Sequence, residues 1–188
     1  MSRQESIAPI GVRCLRSRVC APAAIAAFLL CEIALCTPAL SSDVPFNKFT
    51  QWTLSELIAN AAADVGNEKM PLGSTVIDAD LLRAKVRVTF VGSSRPIGAD
   101  EKRYIGYYSK TAAEDPAKYS ALFQHDYLFK ENGVGYWLPV EEGVAGYFSK
   151  ELKPGDTVDL YLIRAGGTLT RSGWLWVLLV EGFKSPQD

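Results

Sequence analysis

From Ala84 to Phe90 the chain alternates. Ala84, Val86, Val88 and Phe90 are apolar, and Lys85, Arg87 and Thr89 between them are polar. That period of two is the signature of a half-buried strand. It returns in Val134, Tyr136, Leu138 and Val140, and again in Val158, Leu160 and Leu162. Asn132-Gly133 stands between Tyr127–Phe129 and the first of these repeats. Both residues tolerate positive φ, so the pair predicts a tight hairpin. Trp174 to Val180 is apolar at every position, which predicts a strand covered on both faces. Residues 102–109, carrying Tyr104, Ile105, Tyr107 and Tyr108, are read as a strand, and so are residues 144–149. Gly92–Asp100, Glu141–Gly143, Lys153–Asp156 and Gly166-Gly167 are read as the breaks and turns between strands.

A different period marks two helices. Leu54, Leu57, Ile58, Ala61 and Val65 recur at helical spacing. Thr53 and Glu56 form a capping box ahead of them, and Gly66 supplies the stop. A shorter helix is predicted over 116–122, with Pro116 in its first turn and Asp115 as its cap.

About seven short strands with a turn roughly every ten residues predict a mainly β fold with minor α. The expected architecture is a small antiparallel barrel of about five to seven strands. OB-like and SH3-like barrels and a small sandwich all remain open. The helical insert between the early strands favours the OB-like form, with the N-terminal amphipathic helix on its flank.

The first 41 residues follow another rule. A segment with Arg3, Arg13, Arg16 and Arg18 precedes the apolar run Val19–Leu30, and the small-residue stretch Thr37–Ser42 follows. This order reads as a cleaved signal peptide over 1–41, and hence as a periplasmic or secreted protein. Residues 42–75 then form a lead-in with the helix, and 76–188 the barrel. Glu32 interrupts the apolar run, so no stable membrane span is expected. All four cysteines, Cys14, Cys20, Cys31 and Cys36, lie in the leader. The mature domain therefore relies on burial alone, without disulfides or thiolate chemistry.

Charge narrows the function. The 147 residues after the leader hold 16 basic and 19 acidic side chains. A near-neutral chain offers no electrostatic case for nucleic acid. His125 is the only histidine, which excludes a multi-histidine metal site within one chain. Neither a Walker motif nor a dinucleotide fingerprint occurs, and no cofactor is expected. His125 beside Asp126 is a weak catalytic candidate. Neighbours on a strand point to opposite faces, so Asp126 is poorly placed to orient it.

The aromatic set is the stronger signal. Tyr104, Tyr108 and Trp137 are read as outward strand residues, with Arg87 and Arg103 as basic neighbours. Outward rings on the early strands of an OB-like barrel stack on ligands. The expected function is an exported, non-enzymatic binding domain for an oligosaccharide or peptide of the cell envelope, with an envelope protein as a further partner class. The alternatives are a small periplasmic hydrolase using His125 and a structural envelope protein that self-associates.

Overall fold

A computed structural model of the chain describes residues 46–66 and 69–185. The segment read as an export signal lies outside the described residues. A 3-10 turn at Phe46–Lys48 leads into β1 (Thr50–Trp52) and α1 (Leu54–Val65). Then come β2 (Thr75–Pro96), α2 (Ala99–Ala112), α3 (Pro116–Ala121), β3 (Phe123–Glu131) and β4 (Val134–Glu141). The chain ends with α4 (Glu142–Glu151), β5 (Thr157–Thr170) and β6 (Gly173–Lys184).

The strands run in the order β1-β2-β3-β4-β6-β5, and β2 also pairs with β5. Strands β2 to β6 thus close a five-stranded barrel, with β1 lying parallel along β2. Counting from β2, the barrel order is 1-2-3-5-4, returning to 1, with α4 between the third and fourth strands. This is the connectivity of an OB barrel. Closure needs one parallel pairing, β4 with β6 at Val140 and Val180, so the barrel is mixed. The 22-residue β2 serves both halves: Thr75–Thr89 pairs with β5 and Thr89–Pro96 with β3. Irregular steps between Ile77 and Leu82, and between Phe90 and Ser94, bend it around the barrel.

The interior holds Val86, Phe129, Val140, Leu160, Leu162 and Val180 with their neighbours. Two helices complete it. Leu54 and Leu57 of α1 are fully buried there. Buried Glu131 fastens the start of α1, accepting from Leu54 N at 2.8 Å and Ser55 N at 3.2 Å. A carboxylate there also suits the positive end of the helix. On α4, Phe148 inserts among Phe90, Tyr127, Phe129 and Phe183, with ring centroids 5.0–6.0 Å apart.

Two predicted strands are helices. Residues 102–109 belong to α2, and 144–149 to α4. In α2, Tyr104, Ile105 and Tyr108 fall on one face at helical spacing and are buried. In α4, Val144, Ala145 and Phe148 do the same. Aromatic and β-branched residues favour strands only as a weak preference, and burial of one helical face overrides it here. The break expected at Gly92–Asp100 is also shorter, because β2 runs on to Pro96. Gly166-Gly167 does not end its strand. The predicted hairpin at Asn132-Gly133, the capping box of α1 and the Asp115 cap of α3 all form.

α2 packs outside the barrel. Tyr104, Ile105 and Tyr108 lie against Phe123, Ala165, Val177 and Leu179 in a second core. Glu181, at an irregular step of β6, lies on this side of the sheet, where its charge acts on Tyr108 and Tyr119. Burial first, then the Glu141 carboxylate, raise its pKa from 4.5 to about 7, with Arg83 opposing. Folding therefore favours the protonated acid. Its contribution to stability is present below about pH 4.5 and lost as pH rises through 7. Urea denaturation is expected to show wild type losing on the order of 2–3 kcal/mol more than Glu181→Gln between those limits. Equal losses in the two proteins would contradict this.

Candidate functional site

The sheet face built from β2, β3 and β4 carries the most structured polar group on the barrel. Directly opposed residues share a face. Arg95 opposes Asp126, Asp126 opposes Pro139, and Leu128 opposes Trp137. Their neighbours Phe129, Leu138 and Val140 point into the core. Asp126, Leu128, Trp137 and Pro139 therefore look outward, together with Arg95.

Arg95 links this set. Its Nε donates to Asp126 Oδ2 at 2.9 Å, and its guanidinium carbon lies 4.4 Å from the Trp137 ring centroid. The arginine is 45% exposed while the Asp126 side chain is fully buried. Glu101, in the first turn of α2, closes over the same spot. Its Oε2 accepts from Gly98 N at 3.1 Å and lies 3.9 Å from an Arg95 terminal nitrogen. Burial, then the charge of Asp126, push the Glu101 carboxyl above the usual range. Burial raises Asp126 too, against the pull of Arg95. With both acids ionised, Asp126 Oδ1 is buried without a hydrogen-bond partner. Glu101 is the acid whose charge acts with Asp126 across this spot, and burial disfavours ionisation of both. The face thus presents a half-exposed guanidinium whose charge is balanced by Asp126, a stacked indole and a rigid backing.

On the other side of the first turn of α2 lies an open pocket of about 530 Å³. Asp100, Arg103, Thr170 and Arg171 line it, with Leu72 at its rim. Arg103 is held by Asp100 at 2.6 Å. The site thus sits where the sheet face meets the segment joining the first two barrel strands and the turn joining the last two. OB barrels take oligomeric ligands at such a place.

The expected site residues scatter. Trp137 is outward, as read from alternation. Tyr104 and Tyr108 are each 2% exposed on α2 and present no stacking face. The Tyr104 hydroxyl donates instead toward the carbonyls of Val76 and Ala165. Arg87 is on β2 and forms two bonds to Asp159, at 2.8 and 3.1 Å, with Lys85 on the same carboxylate. Arg103 faces the α2 pocket. His125 pairs with Glu142 at 2.8 Å, both over two-fifths exposed, and Asp126 points away from it. Among the described residues His125 has no second hydrogen-bond partner.

The chain matches no protein-family model, and no curated protein matches it in sequence. What the site does is therefore read from its own chemistry. Arg95, Asp126 and Glu101 are not among the binding residues expected from the sequence. Asp126 had a signal, an acid on the face opposite Tyr127 and Phe129 in β3. Glu101 had none, because its role depends on α2 being a helix.

Proposed function

We propose that this is an exported, non-enzymatic binding domain whose sheet face around Trp137 takes an anionic oligosaccharide of the cell envelope. The observation that carries the reading is the Arg95 guanidinium, stacked on Trp137 and fixed from behind by buried Asp126. An indole offers a flat apolar surface to a sugar ring. The guanidinium beside it meets a uronate carboxylate or other acidic substituent. Arg103 and Arg171 extend positive charge along the flank. The exported location rests on the order of residues in the leader.

Tryptophan fluorescence and calorimetry with oligogalacturonate, against neutral maltooligosaccharides, test the site. The acidic oligomer is expected to bind and the neutral one to bind at least about tenfold more weakly. Trp137→Ala is expected to cost at least about tenfold in affinity and only about 1–2 kcal/mol of stability. Unchanged affinity in that variant moves the site elsewhere.

A second reading has its own observation. Val134–Pro139 of β4 pair with β3 on one side, and β4 meets β6 only at Val140. A peptide adding as a strand fits such an edge. Peptide binding by the main chain survives Trp137→Ala, which separates the two.

A further inference from the structure

We propose that a second pocket, on the α1 side of the barrel, binds a small organic ammonium between Asp64, Asp78 and the indole of Trp176. This pocket is about 390 Å³ and is walled on its apolar side by Ala61, Val76 and Leu82. Four elements meet there: α1, β2, β5 and β6. It shares no residue with the Trp137 face, so it stands or falls separately.

The polar side of the pocket is organised by one buried cation. Arg164 is 5% exposed, although it lies within the apolar run of β5. It donates through Nε to Asp78, through Nη1 to Asn60 at 2.6 Å, and through Nη2 to Asp64 at 2.9 Å. Its partners come from α1 and β2, so the guanidinium fixes both carboxylates relative to the barrel. Each spends only its Oδ2 on Arg164. Among the described residues, Oδ1 of Asp64 and Oδ1 of Asp78 accept no protein hydrogen bond. Two carboxylates against one guanidinium leave the pocket one negative charge in excess.

The aromatic wall is equally fixed. Trp176 stacks on Trp174 with centroids 5.1 Å apart and planes 15° apart. Its ring lies so close to β5 that a Cβ on Gly167 would come within 2.7 Å of it. Glycine at 167 is what allows the indole to lie there. Free carboxylate oxygens accept from N–H donors, and an indole attracts a cation. An anion meets the excess negative charge, and a neutral hydroxyl compound can donate to the free oxygens but leaves that charge uncompensated. An amine or alkylammonium is the chemistry that uses both walls. Arg164 is a positioning residue, because its donors are turned to the two acids and to Asn60.

Calorimetry and tryptophan fluorescence on the whole protein test this, with 1,4-diaminobutane as the probe and sodium chloride at matched ionic strength as the control. Saturable binding of the diamine is expected, with none of glucose. Asp64→Asn keeps an acceptor oxygen for Arg164 but removes the charge, and is expected to weaken binding about tenfold or more. Trp176→Phe is expected to weaken binding and remove most of the fluorescence change. Near-UV circular dichroism identifies any variant that has lost its packing, and the other variant then decides. No saturable binding, equal binding of glucose, or undiminished binding in a folded Asp64→Asn variant overturns the assignment.

Discussion

Gly166→Ala is expected to destabilise the domain by about 3–6 kcal/mol, a cost that combines three separate effects. Gly166 has φ of 118°, a conformation that an L-residue holds only with about 1–2 kcal/mol of strain. A Cβ there would overlap the Val76 carbonyl oxygen and stand 2.5 Å from the Tyr104 hydroxyl. Relieving such overpacking costs about 1–3 kcal/mol. The Tyr104 hydroxyl also reaches the Val76 and Ala165 carbonyls at 2.9 and 2.6 Å, and displacing it costs about a further 1 kcal/mol. Val76 lies on β2, Ala165 on β5 and Tyr104 on α2, so one added methyl group strains the point where three elements meet. Urea denaturation at unchanged slope measures the loss. Tyr104→Phe, which removes only the hydroxyl, is expected to lose about 1 kcal/mol. A loss in Gly166→Ala no larger than in Tyr104→Phe would show that β5 shifts freely at this point.

The same glycine shows where sequence pattern stops. Alternation in Ala84–Phe90, Val134–Val140 and Val158–Leu162 is a local property, and all three stretches are strands of the barrel. The caps of α1 and α3 are local too, and they form as their residues demand. Gly166-Gly167 reads as a strand end because glycine commonly ends strands. Its actual role is to admit a tyrosine hydroxyl from a distant helix and the indole of its own hairpin partner, Trp176. Residues 102–109 and 144–149 each combine aromatic residues with both periods. Only the surface waiting to receive Tyr104, Tyr108 and Phe148 decides for the helix. The site follows the same division. Trp137 is outward because its neighbours Tyr136 and Leu138 are the inward members of an alternating run. Arg95 becomes important only through register, which places it opposite Asp126. Arg164 carries a legible mark, a single cation in an apolar strand, but its partners Asn60, Asp64 and Asp78 are about a hundred residues away in the chain.

Arg95→Ala is expected to lose about 3 kcal/mol at pH 7, although the arginine itself is nearly half exposed. The cost lies in what it leaves behind. The Asp126 side chain is fully buried and its Oδ1 already lacks a partner when ionised. Without the guanidinium, a buried carboxylate stands beside a second acid with nothing to offset it. The folded protein then favours protonated Asp126 still more strongly, so its pKa rises further above the unfolded value of 3.8. A raised folded pKa gives stability that is present below the unfolded value and lost as pH increases. The difference between Arg95→Ala and wild type is therefore expected to widen from pH 4 to pH 7. Asp126→Asn removes the charge that needs compensation, so Arg95→Ala/Asp126→Asn is expected to be more stable at pH 7 than Arg95→Ala alone. Simple additivity of the two single losses would mean that the pair is not coupled. Because the same guanidinium stacks on Trp137, Arg95→Ala is also expected to weaken oligogalacturonate binding, whereas Asp126→Asn keeps the stacked cation and most of the affinity. A binding loss that follows stability across these variants, rather than the presence of the guanidinium, would remove Arg95 from the ligand surface and leave it a purely structural ion.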